Sequence, residues 1–140
     1  MTGLVVCVAV LAVAGAFGLW RRRRDGRLGM RDRDGGRRLD AAVIGAERLG
    51  RRATLVQFST AFCQPCRATR RTLSEVAEMV EGVVHVEIDA EARLDLVREL
   101  GIVRTPTVLV LDAAGTVVRR ASGQPRRADV FAALGAAVPG

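Results

Sequence analysis

Two cysteines are separated by two residues in the stretch FSTAFCQPCRATR, which covers residues 58–70. An apolar run precedes Cys63, and a helical pattern with Pro65 near its first turn follows it. The unpaired amide groups and the positive dipole end of that helix would face the Cys63 sulfur and favour its thiolate, since helix amino termini lower a cysteine pKa from about 8.5 to roughly 3.5–7.5. Cys66 lies one turn further on the same face, so the pair could exchange disulfides with another protein.

Two other interpretations of the pair stay open at this point. A structural zinc site takes four ligands, and the only further candidates are His85 and Cys7. Two buried, unreactive cysteines are the second alternative, although a proline and a helix start argue against it. The residues therefore favour redox exchange and predict no metal ligand.

The elements that would position the pair follow from the hydrophobic pattern. The pattern predicts strands at residues 53–59, 83–89, 107–112 and 116–122, and helices at residues 64–80, 91–100 and 126–138. The first two strands are parallel through a right-handed crossover, and a tight turn makes the last two antiparallel. The fold class is therefore α/β, a mixed four- to five-stranded sheet with helices on both faces. The cysteines would follow the carboxyl end of a central strand, where such sheets place their sites.

The first twenty residues predict a membrane anchor. Residues 3–20, GLVVCVAVLAVAGAFGLW, carry no charge, end in an aromatic residue, Trp20, and are followed at once by four arginines. As a helix they span roughly 27 Å, close to the hydrocarbon thickness of a bilayer. We expect a transmembrane anchor at residues 1–20. A cleavable signal peptide is the alternative, but it needs a basic start and a shorter apolar segment.

The region after the anchor carries nearly all the excess charge. The net charge is +7, and residues 21–38 hold nine arginines against three aspartates. Their mixture with glycine predicts a basic flexible linker at 21–38, followed by a domain at 39–140. The positive-inside rule then predicts a single-pass protein of the cell membrane with its domain in the cytoplasm. No aromatic interleaving or nucleic-acid-binding spacing is present, so no nucleic-acid partner is expected.

FCQPC, followed by RTPT at residues 104–107, resembles the thioredoxin-fold family and its membrane-tethered members over about residues 53–138. The resemblance implies that Cys63 is the nucleophile and Cys66 the buried resolving thiol. It also implies that the Thr105–Pro106 bond is cis and that Pro106 packs against the disulfide. No organic cofactor is implied, only the redox-active Cys63–Cys66 disulfide, and no dinucleotide or phosphate-loop motif is present.

The same resemblance implies a substrate-binding surface. Thr105 would offer its backbone to an extended substrate segment, and Gly123 matches a glycine near the family's substrate groove. Phe62 replaces the usual tryptophan before the first cysteine. The dipeptide Gln64–Pro65 replaces the common Gly-Pro between the cysteines. We expect these residues, together with Pro106, to contact the substrate.

Two residues depart from the family pattern at positions that tune the chemistry. Gln57 stands where the family has a buried aspartate that helps to deprotonate the resolving thiol, and His85 stands where a neighbouring lysine is common. Glutamine can hydrogen-bond but cannot take a proton. Losing both charges together avoids leaving one of them buried and unpaired. The alternative for His85 is a polar strand residue that only packs.

These inferences predict a membrane-anchored thiol–disulfide oxidoreductase. Its partners would be protein disulfides and an electron donor that the sequence does not name, and the sequence does not indicate an oligomeric state. In the cytoplasm the net direction would be reduction, because that compartment keeps thiols reduced. The alternatives are a tethered adaptor with incidental cysteines and an exported thiol–disulfide protein that works outside the membrane.

Overall fold

The structure is a computed structural model that describes residues 1–29 and 36–138. Three predicted strands have the expected bounds, and the other predicted elements differ from expectation by a few residues at their ends. A short helix at Ala41–Ile44 was not predicted. In chain order the elements are α1 Thr2–Arg24, α2 Ala41–Ile44, β1 Ala53–Ser59, α3 Gln64–Met79, β2 Val83–Asp89, α4 Leu94–Leu100, β3 Thr107–Asp112, β4 Val117–Ser122 and α5 Arg127–Ala137.

The four strands form one mixed sheet in the order β2-β1-β3-β4. β1 pairs in parallel with β2 and antiparallel with β3, and β3 pairs antiparallel with β4. The mixed α/β sheet predicted from the sequence is therefore confirmed. β1 is central and buried along its whole length, so the loop after it is held firmly at the carboxyl end of the strand.

Helices cover both faces of the sheet, as predicted. Alternate residues of β1 point to opposite faces, so Leu55 belongs to one core and Val56 to the other. On the first face, α3 and α5 cover the sheet with Leu73, Val76, Val130, Ala133, Leu134 and Ala137. On the second face, α2, α4 and their flanking segments cover it with Leu39, Ile44, Leu96, Leu100 and Ile102.

Helix α4 begins later than the sequence pattern predicts. The expectation was a helix over residues 91–100, whereas α4 covers Leu94–Leu100. The Asp89 carboxylate accepts a hydrogen bond from the Glu91 amide at 2.9 Å, which holds the residues after β2 in a turn. That local hydrogen bond competes with helix formation and moves the helix start by one turn.

Helix α1 is long and apolar enough to cross a membrane. Its mean hydropathy over eighteen residues is 2.4, and none of that stretch is buried against the rest of the described chain; a signal sequence near an amino terminus would pass the same test. The helix continues beyond the expected anchor end through four arginines to Arg24. Arginine is a good helix former, and cations at a helix carboxyl end interact favourably with the dipole.

The described parts of the predicted linker lie along the edge of β4. Gly26 donates a backbone hydrogen bond to Ser122 at 2.9 Å, and single bridges join Gly29 to Arg120 and Arg38 to Thr116. Residues 30–35 of the predicted linker lie outside the described residues. The described flanks of the predicted linker therefore contact the domain, which the composition of the segment did not indicate. An edge strand exposes backbone groups that a passing segment can pair with.

Candidate active site

The two cysteines lie where the central strand passes into helix α3. Cys63 is the residue that caps the amino end of α3, and Pro65 lies in the first turn, where its missing N–H costs nothing. Cys63 and Cys66 form a disulfide with an S–S distance of 2.12 Å and a Cα–Cα distance of 5.2 Å. The sequence prediction that the pair lies close enough for a disulfide is thus confirmed.

The two sulfurs differ in their access to a partner. Cys66 is 1% exposed, whereas Cys63 is partly exposed. The Cys66 backbone amide donates a hydrogen bond to the Cys63 sulfur at 3.2 Å. This amide and the positive end of the sixteen-residue helix α3 both favour negative charge on that sulfur. A protein partner would therefore meet Cys63 before Cys66.

An exposed surface with an aromatic ring borders the disulfide. The Phe62 side chain is 100% exposed, and Gln64 and Pro65 are exposed as well. An aromatic ring left fully in water next to a reactive pair suits contact with another molecule. The structure therefore brings these three predicted residues together beside Cys63, and their substrate-binding role stays a prediction.

The loop before β3 faces the same end of the sheet. The Thr105–Pro106 peptide bond is cis, as the resemblance implied. The Thr105 hydroxyl lies 3.1 Å from the hydroxyl of Thr60, which ties this loop to the segment that leads into the cysteines. Pro106 is buried, and its carbonyl accepts a hydrogen bond from the Gly123 amide at 2.7 Å.

Gly123 has a position that only glycine suits. Its φ is +100°, and a Cβ there would come within 2.8 Å of the Arg104 guanidinium and 3.2 Å of the Gly26 nitrogen. Both facts disfavour a side chain. The glycine thus lets the β4–α5 loop approach the segment that follows α1. The sequence reasoning had linked Gly123 only to the substrate groove.

Gln57 connects the core to the resolving cysteine. Its side chain is completely buried, and Nε2 donates to the Cys66 carbonyl oxygen at 2.8 Å and to the Ser59 hydroxyl at 2.9 Å. The Cys66 carbonyl can only accept, so the amide NH2 group must face it. Oε1 then faces His85 Nε2 at 3.0 Å.

His85 is bound through both ring nitrogens. Because Gln57 Oε1 can only accept, His85 Nε2 carries a proton. Nδ1 lies 3.2 Å from the Ser74 hydroxyl, which donates to it when the ring is neutral. Burial lowers the pKa of His85, the nearby Glu87 carboxylate partly counteracts this, and Arg70 adds a smaller lowering. The ring is therefore neutral at pH 7 and part of a continuous chain of hydrogen bonds.

Four residues of this network were missed by the sequence analysis: Ser59, Ser74, Arg70 and Glu87. The Arg70 guanidinium pairs with both carboxylate oxygens of Glu87, at 2.5 and 2.6 Å. The sequence spacing contains a signal for three of these residues. Arg70 and Ser74 are four residues apart on one face of α3, and Glu87 shares a strand face with His85. Together these positions predict a polar strip between α3 and β2.

Among the described residues, the two further ligand candidates of the zinc alternative form no metal-binding cluster with the cysteine pair. Cys7 is exposed on α1, and His85 is bound to Gln57 and Ser74. Within residues 1–29 and 36–138, no group of three or more His, Cys, Asp or Glu residues could hold a metal ion.

Comparison with known proteins identifies the family of the domain. A sequence profile of the family described as "Thioredoxin-like domain" matches residues 39–138. The chain belongs to this thioredoxin-like domain family. The match begins at the predicted domain start and includes the cysteines, the cis-proline loop and the whole sheet.

Solved thioredoxins share the fold of this thioredoxin-like chain. Thioredoxin f from spinach chloroplast is 27% identical, with a TM-score of 0.55 over 63% of this chain and 78% of that chain. A thioredoxin from Nicotiana alata is 22% identical, with a TM-score of 0.56 over 64% of this chain and 76% of that chain, and shows the fold alone.

One curated relative is similar over a shorter stretch. Thioredoxin domain-containing protein 2 of Homo sapiens is 38% identical over 58 residues, which is 41% of this chain and 10% of that protein. The match thus spans a tenth of the relative's length. Family membership and a cysteine pair at disulfide distance together support thiol–disulfide oxidoreductase chemistry for this thioredoxin-like protein.

Proposed function

We propose that this protein is a membrane-anchored thiol–disulfide oxidoreductase that reduces disulfides of protein partners. The observation that carries the proposal is the Cys63–Cys66 pair at the amino end of α3, with one sulfur accessible and the other buried. The reaction needs no organic cofactor, because the two sulfurs themselves carry the two electrons.

The proposed reaction consists of two successive thiol–disulfide exchanges. In the reduced protein, the Cys63 thiolate attacks one sulfur of the partner's disulfide, and the other partner sulfur leaves as a thiolate that takes up a proton. The Cys66 thiol loses its proton and attacks Cys63 Sγ, which forms the Cys63–Cys66 disulfide and releases the second partner thiol. Two electrons pass from the protein to its partner, and a separate donor must return them.

The proposed substrate contacts lie around Cys63. Within the described part of the chain, the Thr105 backbone has no backbone hydrogen-bond partner, so it is available to an extended segment. Phe62, Gln64 and Pro65 border Cys63 on the exposed side. The buried Pro106 and the glycine at 123 shape the groove next to Thr105.

The proposed location is the membrane, with α1 as a single span and the domain in the cytoplasm. The length and hydropathy of α1 and the arginines on its carboxyl side support this orientation. The reducing conditions of the cytoplasm then set the direction as reductive. In the exported alternative the same domain lies outside, where it could reduce or oxidise.

The chemistry is tested by turnover of insulin disulfides with dithiothreitol, using the full chain in detergent. We expect Cys63→Ser to lose the activity. Cys66→Ser should accumulate a mixed disulfide through Cys63, visible by mass spectrometry under non-reducing conditions. Wild-type turnover by Cys63→Ser would instead favour the non-catalytic adaptor.

The topology is tested with a membrane-impermeant thiol reagent on intact cells. Cys7→Ser removes the cysteine of α1, so that labelling of the reduced protein reports only on the domain. We expect labelling after permeabilisation and none before it. Labelling of intact cells would contradict the cytoplasmic location and support the exported alternative.

A further inference from the structure

A groove beside the redox pair has the end of α1 as one of its walls. It has a volume of about 830 Å³. Its lining includes the proposed substrate residues Pro65, Thr105, Pro106 and Gly123. Leu19, Arg22, Arg23 and Asp25 form the wall nearest the anchor, and Arg104, Gln124, Pro125, Arg126 and Arg127 form much of the rest. We refer to it as the arginine groove.

Positive charge dominates the arginine groove. It holds five arginines and one aspartate. Arg104 is paired with Asp25 at 2.8 Å, and Arg127 is paired with Glu75. Within residues 1–29 and 36–138, the remaining three arginines have no acidic partner. They are Arg22, Arg23 and Arg126.

The end of α1 is held against the groove by backbone contacts. The Gly26 amide donates to the Ser122 carbonyl, and Arg104 donates to the same oxygen at 2.8 Å. Gly26 has a φ of +77°, and a Cβ there would lie 1.9 Å from the Gln124 carbonyl oxygen. Only glycine fits this contact, so the two unpaired arginines of α1 are placed beside the groove by specific packing.

We propose that the arginine groove binds an acidic polypeptide segment of the substrate at the membrane surface. This segment lies next to the substrate disulfide that the protein reduces. The proposal rests on the function proposed above and names its substrate class. Three unpaired guanidinium groups around one groove attract carboxylates, accelerate encounter and disfavour basic partners. Because α1 supplies part of the wall, the segment must reach the site close to the anchor.

Anionic lipid headgroups are the competing occupant of the same arginines. The composition of the groove favours a polypeptide. Its lining includes the proposed substrate residues Thr105, Pro106 and Gly123, together with Pro65, which lies between the two cysteines in the sequence. Arg126 is the N-cap residue of α5, on the domain side of the groove rather than on α1.

The test uses the pre-reduced full chain in nanodiscs of neutral lipid and peptides that differ only around one disulfide. The disulfide is flanked by glutamates, by glutamines or by arginines, and the rate of peptide reduction is measured in a single turnover. We expect the acidic peptide to react about tenfold faster than the basic one at low salt, with the difference shrinking at high salt.

Matched variants distinguish an effect of the groove arginines from an effect of the net charge of the protein. The variants Arg22→Gln with Arg23→Gln, and Arg126→Gln, should each reduce the preference for the acidic peptide. Arg48→Gln with Arg51→Gln removes two exposed arginines near the amino end of β1, away from the cysteines. This control variant should keep the preference for the acidic peptide. Gly26→Val retains every charge but displaces the end of α1, so it should reduce the preference as well.

The outcomes distinguish the two proposals. Equal reduction of all three peptides by an active protein would overturn the acidic-substrate proposal and leave the oxidoreductase function intact. A protein that reduces none of them, nor insulin, would overturn both. If Arg22→Gln with Arg23→Gln leaves the preference for the acidic peptide unchanged, these arginines do not serve the substrate and the proposal is wrong.

Discussion

Gln57 donates a hydrogen bond from Nε2 to the backbone oxygen of Cys66 at 2.8 Å, from a completely buried position on the central strand. The first turn of α3 is therefore fixed to the sheet through a buried glutamine. In this protein the position supplies two donors and an acceptor but no proton acceptor of useful strength. Its structural contribution and its effect on the chemistry can be separated by substitution.

Replacing Gln57 by methionine should destabilise the domain by about 2–4 kcal/mol. Methionine fills a similar volume, but it leaves the Cys66 carbonyl, the Ser59 hydroxyl and His85 Nε2–H without their partner. Urea unfolding of the full chain in detergent, with the disulfide intact, measures the loss by circular dichroism. Gln124→Met, at an exposed position, is the control and should stay within about 0.5 kcal/mol. Equal losses in both variants would show that the hydrogen bonds contribute nothing specific.

Replacing Gln57 by glutamate should accelerate the second exchange step about tenfold or more. Burial raises the pKa of a carboxyl group toward neutrality, so a glutamate at this position could take the proton of Cys66. Single-turnover reduction of a protein disulfide, observed by stopped flow as the mixed disulfide decays, measures the step. Gln57→Met also loses the donor to Cys66 but supplies no base, so it should not accelerate the step. A glutamate variant no faster than wild type would exclude proton removal as the slow event.

The pKa of His85 should lie below its ordinary value of 6.5, because burial disfavours the charged ring. Glu87→Gln should lower this pKa further, since it removes a nearby negative charge. Arg70→Gln should raise it, since Glu87 is then no longer neutralised. The chain contains one histidine, so NMR titration of the imidazole gives each value without ambiguity. Shifts in the same direction for both variants would contradict this account of the polar strip.

The lowered pKa of His85 also predicts how stability depends on pH. The unfolded chain binds a proton near pH 6.5 and the folded chain only at lower pH, so the unfolded state binds more protons between these values. The contribution of His85 to the free energy of unfolding is complete above about pH 6.5, and it is lost as the pH falls toward the pKa of His85 in the folded protein. Urea unfolding at several pH values should show this slope, and His85→Gln should remove it. Asp95, whose pKa is lowered mainly by a hydrogen bond from Arg93, acts at more acidic pH, below 3.8.

The sequence was sufficient for the strands and for the position of the cysteine pair because both depend on local patterns. β1 has seven consecutive buried residues rich in β-formers, and Pro65 marks the helix start. The contact of Gln57 with His85 was not predicted. It depends on the register of β1 and β2, which sets His85 opposite Leu55, on the strand face that Gln57 shares. Register is fixed by the packing of the whole sheet rather than by either strand alone.

The docking of the end of α1 could not be predicted for a related reason. Residues 25–29 have the composition of a linker, rich in glycine and charge, and such composition predicts chain flexibility when no partner is known. Gly26 is fixed by the Ser122 carbonyl, which is almost a hundred residues away in the chain. The requirement for glycine at a position with positive φ can be recognised only when the surrounding atoms are known.

The buried Arg120 should stabilise the second face of the sheet through helix α4. It is 6% exposed, and its guanidinium donates to the Leu100 carbonyl at 2.7 Å and to the Gly101 carbonyl at 3.0 Å, at the negative end of that helix. We expect Arg120→Met to destabilise the domain by about 2–3 kcal/mol, because methionine retains the apolar stem but leaves both carbonyls without this donor.

Urea unfolding of the full chain tests this contribution, and hydrogen exchange locates it. Arg98→Met removes an exposed arginine from the same helix and should change stability by less than about 0.5 kcal/mol. Faster amide exchange in α4 of Arg120→Met, with α3 unchanged, would assign the loss to the helix end. An Arg120→Met protein as stable as wild type would mean that the cost of burying the guanidinium offsets the hydrogen bonds it donates.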